Sequence, residues 1–507
     1  MSSEYRDYVV TAREMKLLEM ECIEQQGIAS IALMERAAKA AKKVLLDRYS
    51  QARVFYVCCG TGGNAGDGFA LARLLLSDGY KVKVFIFNEV DSYDGDPRRN
   101  LDALIDLGLE PIYIKKSSQI DYYDIPDVYI DALFGIGLSR EIVGVYTKVI
   151  SYLNSSSVPI FSLDIASGLD ATTGDIQGVC IKADCTVTFA YAKRGHYLKN
   201  GRKYTGQLYI EPIWHENLDK LSDINTYMLN NNAIGALIEK RELDMHKASF
   251  GRIGVIAGSL GMVGAAVHSA KAAYECGCGL VTLFADKDVA NIAQTLAPNI
   301  IVYINEHGPD TFNENVQAKL DEFLKDKDVV ILGPGLSTSE YSRKLCSYVQ
   351  KAFKKPMIVD ADALNALAIN DITEGSNCIL TPHPGEASRI LECSTEEVLS
   401  EPIESARNIS NSTKAVTVLK GNTSIILSAE GITYLNIAGN PALAKGGSGD
   451  VLSGIIAAFA ARGIAKEKAA ALGCFVLGLC AERYTENKSE NSLSPEKIID
   501  QLEYILP

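Results

Sequence analysis

Two glycine-rich segments hold the residues best suited to chemistry. In Gly60-Thr-Gly-Gly-Asn-Ala-Gly-Asp-Gly68, five glycines leave backbone N–H groups free to approach an anion. Asn64 and Asp67 add an amide and a carboxylate beside them. A carboxylate repels a phosphate, so the combination suits a site that also holds a cation or moves a proton. Residues 60–65 formally fit G-x-G-x-x-A, which keeps a dinucleotide-binding dehydrogenase in view, but Asn64 and Asp67 weaken that reading. The second segment, Ala444-Lys-Gly-Gly-Ser-Gly-Asp450, precedes an apolar run at 451–461. Successive glycine amides and a helix dipole point there at an anion, and Asp450 falls in the first helical turn. An Asp beside an anion hole can take the proton of a substrate hydroxyl while the hole stabilises a transferring phosphoryl group. That is the logic of a kinase. No G-x-x-x-x-G-K-[ST] occurs, so the site is not of the Walker type.

Other candidate segments carry the same residue types. Asp131-Ala-Leu-Phe-Gly-Ile-Gly-Leu-Ser-Arg140 sets a carboxylate before a glycine loop, and Ser162-Leu-Asp-Ile-Ala-Ser-Gly repeats this with Asp164 and Ser167. Each Asp alone could cap a turn; three carboxylates at strand ends favour a site. Further along, Thr381-Pro-His-Pro-Gly-Glu386 presents His383 and Glu386 from a stiff loop. Val359-Asp-Ala-Asp362 offers two carboxylates for indirect magnesium binding. Val418-Leu-Lys-Gly-Asn-Thr-Ser424 offers a Lys, a Gly and hydroxyls to a nucleotide. Gly258-Ser-Leu-Gly261 and Gly333-Pro-Gly335 allow close approach.

These loops need strands to hold them. Apolar runs at 53–58, 81–87, 128–132 and 160–164 predict strands, and a helix is predicted over 69–76 after the first glycine loop. The alternation predicts parallel sheets covered by helices, and ligands then gather beyond the carboxyl ends of the strands. The rhythm lapses at 211–232, a polar, Asn-rich stretch with the single Trp, and restarts at 252–257. The expected domains are 1–222 and 223–507.

Composition narrows the function. The chain has 507 residues, too many for a single small module, and 47% are hydrophobic, enough for sizeable cores. Fifty Lys and Arg against 63 Asp and Glu give a net charge of −13, so no basic surplus points to nucleic acid or to a membrane. Twelve Cys without a C-x-x-C read as small buried hydrophobes kept reduced. The start of the chain carries no apolar leader segment, and the run at 451–461 is too short to span a bilayer. The expected location is cytoplasmic.

The segments 60–68, 131–140 and 164–174 resemble the YjeF N-terminal family, epimerases of hydrated nicotinamide nucleotides, over about residues 10–215. That resemblance implies that Gly63, Asn64, Ala65, Gly66, Asp67, Gly135, Ile136, Gly137, Leu138, Ser139, Arg140 and Glu141 hold the substrate. It further implies that Asn64, Asp131 and Ser167 ligate K+, and that Asp164 meets the reacting ring. The segments 246–252, 258–265, 333–336, 360–365, 381–386, 419–422 and 446–450 resemble the YjeF C-terminal family of ribokinase-like dehydratases, over about residues 235–490. Here the resemblance implies that Ala265, Gly335, His383 and Asp450 contact the hydrate. The nucleotide would lie on Lys420, Gly421, Asn422, Thr423, Ser424, Asn440, Gly446, Gly447, Ser448 and Gly449. Lys445 stands where this family often has Thr or Ser.

The joined pair resembles the bifunctional NAD(P)H-hydrate repair enzymes. The resemblance implies an α/β protein of two three-layer domains, a Rossmann-like open sheet followed by a ribokinase-like domain. The first would epimerise R- and S-NADHX and NADPHX. The second would dehydrate the S form with Mg2+ and ADP, giving AMP and phosphate, and the chain would work as a homo-oligomer. The rival reading is a ribokinase-like vitamin or sugar kinase carrying a non-catalytic nucleotide-binding module.

Overall fold

A computed structural model of the chain describes residues 5–214, 218–306, 312–367 and 377–507. Residues 215–217 of the polar stretch therefore lie outside the described residues. The chain divides into two compact units, one of Tyr8–Ile224 and one of Asn225–Pro507 with the residues up to Asp7.

Among the described residues, the first unit is built on a sheet of seven parallel strands. From edge to edge they are Ile112–Tyr113, Lys81–Ile86, Val54–Cys59, Val128–Ala132, Ile160–Leu163, Cys185–Phe189 and Gln207–Glu211. Val54–Cys59 is apolar throughout because both faces of the sheet are covered. Phe55, Val57 and Cys59 enter a core with Phe69 and Leu71, while Tyr56 and Cys58 enter a second core with Val149 and Ile150. The strand order reverses between Val54–Cys59 and Val128–Ala132, the crevice where open α/β sheets bind ligands.

The glycine segment at that crevice departs from expectation. The helix begins at Gly63 and runs to Ser77, not from residue 69, so Asn64 and Asp67 stand in its first turns. Packing explains the glycines inside it: a Cβ at Gly66 would lie 2.6 Å from the Met34 sulfur, and one at Gly68 2.6 Å from Ala132 Cβ. At Gly60 the constraint is tighter, because a Cβ there would meet the Leu133 carbonyl oxygen at 1.8 Å. A short parallel pair, Arg6–Val10 with Ala192–Lys193, sets Val10 opposite Lys193.

Among the described residues, the second unit sets ten strands side by side. Its order is Ile301–Asn305, Leu280–Asp286, Arg252–Ile256, Val329–Leu332, Met357–Val359, Cys378–Leu380, Val416–Leu419, Ser424–Leu427, Thr433–Asn436 and Thr226–Leu229. Pairing is parallel as far as Val416–Leu419 and antiparallel through the next two strands. Thr226–Leu229, inside the stretch that reads as a lapse, is a strand parallel to Thr433–Asn436. The reversal of strand order lies between Arg252–Ile256 and Val329–Leu332. There the Gly258 amide donates to the Pro334 carbonyl at 2.8 Å and the Gly333 amide to that of Ile256 at 3.1 Å, joining the two glycine loops.

Helix Ser448–Ala461 is apolar on nearly every side because it is buried on nearly every side. It packs on Val263–Glu275 so closely that a Cβ at Gly454 would lie 2.4 Å from the Ser269 carbonyl oxygen. Among the described residues no helix is long and apolar enough to cross a membrane. All twelve cysteines are free and eleven are buried, as expected of small hydrophobes.

Candidate active sites

In the first unit, the loops at the strand reversal enclose a cavity of about 590 Å³. Gly63, Asn64, Asp67, Gly135, Ile136, Gly137, Leu138, Ser139, Arg140 and Asp164 line it, bringing together three segments that were separate in sequence. Ala65 and Gly66 lie beneath, packed into the protein. Glu141 is exposed and stands against Gly178 rather than in the cavity.

Asp164 follows the strand Ile160–Leu163 with φ of +63°, a left-handed conformation that costs a non-glycine residue energy and clusters at functional sites. Its Oδ1 is held by the Lys193 ammonium at 2.5 Å and the Thr188 hydroxyl at 3.0 Å. Its backbone carbonyl lies 3.0 Å from His196 Nε2. His196 Nδ1 accepts from the Lys193 amide at 3.1 Å, so Nε2 carries the hydrogen. Burial, reinforced by the Lys193 charge, pushes this imidazole down to about 3, so it is neutral.

Three acids, Glu19, Asp67 and Asp164, and three cations, Lys16, Arg140 and Lys193, line the cavity. Burial first, then the Asp164 charge, raises the carboxyls of Glu19 and Asp67 above the usual carboxylate range, Asp67 strongly. Asn64 is buried, and neither its amide oxygen nor its nitrogen has a hydrogen-bond partner among the described residues. Asp131 is fully buried, which raises its carboxyl, against hydrogen bonds from the Ser167 hydroxyl (2.6 Å), the Ser162 hydroxyl (2.8 Å) and the Ser167 amide (2.9 Å). Glu19, Thr188, Lys193 and His196 escape a motif search. The legible hint was one Lys ending the otherwise uncharged run 185–193.

In the second unit, Asp450 sits in the first turn of Ser448–Ala461, after Gly447 at φ of +95°. Burial and the charge of Asp360 push its carboxyl up to about 7, and Lys420 opposes this. Lys420 extends to Asp360 Oδ1 at 3.0 Å and lies 4.0 Å from Glu386. Asp360 Oδ2 accepts from the Ser453 hydroxyl at 2.7 Å, tying the strand end to the helix that bears Asp450. Asp362 accepts from the Ser337 amide at 2.8 Å.

The remaining candidates fall around this cluster. His383 caps helix Pro384–Leu391, its Nδ1 accepting from the Gly385 and Glu386 amides at 3.0 and 3.2 Å, and its Nε2 lies 3.5 Å from Glu386 Oε1. A Cβ at Gly335 would come within 3.0 Å of Ala265 Cβ, so these two expected contacts adjoin. Lys420, Gly421, Asn422, Thr423 and Ser424 turn the hairpin between Val416–Leu419 and Ser424–Leu427. The Ser448 hydroxyl is buried without a partner among the described residues. Asn440 is engaged structurally, capping Pro441–Leu443 and donating to Thr485 at 2.7 Å. The Lys445 ammonium donates to the carbonyls of Asn491 and Leu493.

Two α/β units, each with an acid placed beside a glycine-lined crevice, define a two-site enzyme. A family model described as NAD(P)H-hydrate dehydratase matches residues 253–503, and one described as the YjeF-related protein N-terminus matches residues 30–195. The bifunctional NAD(P)H-hydrate repair enzyme of Thermofilum pendens is 33% identical over 97% of this chain and 95% of its own. That of Escherichia coli is 33% identical over 93% and 88%. Among solved structures, the ADP/ATP-dependent NAD(P)H-hydrate dehydratase from Bacillus subtilis, co-crystallised with ATP/Mg2+, matches 54% of this chain and 96% of its own at 28% identity and a TM-score of 0.48. The chain belongs to the family of bifunctional NAD(P)H-hydrate repair enzymes, which join an epimerase to a dehydratase.

Proposed function

We propose that Asp164 is the base of the epimerase and Asp450 that of the dehydratase. Hydrated NADHX and NADPHX carry a hydroxyl at C6, a ring carbon bonded to the ring nitrogen, so inversion there needs no redox change. Asp164 takes the hydroxyl proton. The C6–N bond then opens to an aldehyde, its electron pair delocalising from nitrogen into the ring carboxamide, and closure on the other face returns the proton. The observation that carries this reading is the strained Asp164 facing a cavity shared with Asn64, Asp67 and Glu19. Residues 63–67 and 135–141 hold the substrate in this reading, with Ala65, Gly66 and Glu141 contributing from outside the lining.

In the second unit, Asp450 deprotonates the S hydroxyl as the terminal phosphoryl group of ADP passes to that oxygen, releasing AMP. Phosphate then leaves with loss of a C5 proton, restoring the double bond. Phosphate is the better leaving group, which is why phosphorylation comes before elimination. The acid raised to about 7 beside an amide-lined loop supports this assignment. His383 Nε2, Ala265 and Gly335 contact the hydrate, and residues 420–424, 440 and 446–449 the nucleotide. The unpartnered Ser448 hydroxyl fits a phosphate oxygen.

Two cations complete the proposal. The orphaned Asn64 amide oxygen, with Asp131 and Ser167, makes an all-oxygen set that fits K+, which would supply positive charge beside the substrate. Among the described residues no three acidic, His or Cys side chains are grouped to hold a metal. Asp360 and Asp362 would therefore meet Mg2+ through water and nucleotide phosphates. A cytoplasmic location, expected from the sequence, and a homo-oligomer, implied by the family resemblance, belong to the same reading. Separate assays of Asp164→Asn and Asp450→Asn test it, since each must abolish one activity and spare the other.

A further inference from the structure

Lys193 is fully buried in the first unit and borders the cavity. Its three ammonium hydrogens are all used, by Asp164 Oδ1 at 2.5 Å, the Thr188 hydroxyl at 2.7 Å and the Phe189 carbonyl at 3.3 Å. The Thr188 hydroxyl donates onward to the same Asp164 oxygen at 3.0 Å. Oδ1 therefore receives two donors, and Oδ2 has none among the described residues. The backbone beneath the lysine is equally constrained, by pairing with Val10 and by the bond from the Lys193 amide to His196. An aspartate at φ of +63° with one oxygen clamped presents its other oxygen in a single direction.

We propose that Lys193 is a positioning residue of the epimerase, clamping Asp164 Oδ1 so that Oδ2 alone meets the substrate hydroxyl. The inference rests on Asp164 being the base. A buried ion pair is a costly way to stabilise a fold, because desolvation consumes most of the Coulombic gain. Its use here fits orientation better than stability, and misplacing a reacting group by about 1 Å can cost about a hundredfold in rate.

The test follows epimer interconversion by the full chain. In Lys193→Met, kcat should fall about a hundredfold while KM stays within about twofold. Lys193→Arg, which keeps a donor near Oδ1, should recover at least about a tenth of the wild-type kcat. Thr188→Val removes one of the two donors, and kcat should fall about fivefold with KM unchanged. Near-wild-type kcat in Lys193→Met would overturn the proposal. So would a joint collapse of kcat and KM that arginine does not relieve. If near-ultraviolet circular dichroism shows Lys193→Met unfolded, the arginine and valine variants decide by the same criteria. Asp164→Asn is measured alongside: if it keeps its kcat, the assignment of the base has failed, and not merely the clamp.

Discussion

Lys420 meets Asp360 across 60 positions of sequence in a 3.0 Å ion pair, and a Cβ at Gly449 would lie 3.5 Å from the same ammonium. One cation thus stands between a strand-end acid and the anion loop, and it restrains the rise of the Asp450 carboxyl. Without it, Asp450 would face Asp360 and Asp362 unopposed. In Lys420→Met, the acid limb of the dehydratase kcat/KM profile should move to higher pH. A limb at the wild-type position would remove Lys420 from this role.

The wild-type profile follows from the same environment. A base pushed up to about 7 is mostly protonated at pH 6, so dehydratase kcat/KM should rise through about pH 7 to a plateau. Asp450→Asn should lower kcat by at least about a hundredfold at every pH and leave epimerisation intact.

Asp450 also carries a stability consequence. Its native carboxyl is raised above the unfolded value, so the native state binds the proton more tightly. Its contribution is present below the unfolded carboxylate range and is lost as pH rises through about 7. Asp450→Asn should accordingly be more stable than wild type at pH 8, by about 1–3 kcal/mol, with the gain fading toward pH 4. Urea unfolding at the two pH values measures this, and an equal difference at both would contradict it.

How much of this was legible beforehand depends on the kind of contact. The strand runs 128–132 and 378–380 and the acids Asp131 and Asp164 could be read directly, because a parallel strand buried on both faces leaves an apolar run with a candidate acid at or next to its end, while Asp450 could be read from its place between a glycine loop and an apolar helix. The helix start at Gly63 could not, since Gly66 and Gly68 look like loop residues until Met34 and Ala132 are seen against them. Lys193 and Lys420 lie 29 and 60 positions from their partners, a pairing that only the folded sheet creates. Asn440 and Lys445 are likewise bonded to Thr485, Asn491 and Leu493, 45 to 48 positions further along the chain, contacts that their own segment does not announce.

The cation proposal for the first unit has its own test. Replacing K+ by tetramethylammonium at constant ionic strength should slow epimerisation and leave dehydration of the S form unchanged. Asn64→Ala should weaken the K+ response about tenfold or more, since it removes the amide oxygen of the proposed ligand set, which has no partner among the described residues.

Gly60 tests the packing of the crevice. Gly60→Ala would force a methyl into the Leu133 carbonyl, 1.8 Å away, and should destabilise the first unit by about 1–3 kcal/mol. Gly63→Ala, with nothing within 4 Å of its Cβ position, is the control and should unfold at the wild-type urea concentration. Equal midpoints for the two variants would refute the close approach.

The central claim is that one chain both inverts and dehydrates hydrated NADH. Mixed R and S epimers are incubated with the protein, ADP, Mg2+ and K+, and the returning dihydronicotinamide absorbance is followed to completion. Complete recovery is predicted, with Asp164→Asn stopping at the S fraction. Wild-type recovery that stops at the S fraction would contradict the epimerase assignment, and no recovery with either ADP or ATP would contradict the account as a whole.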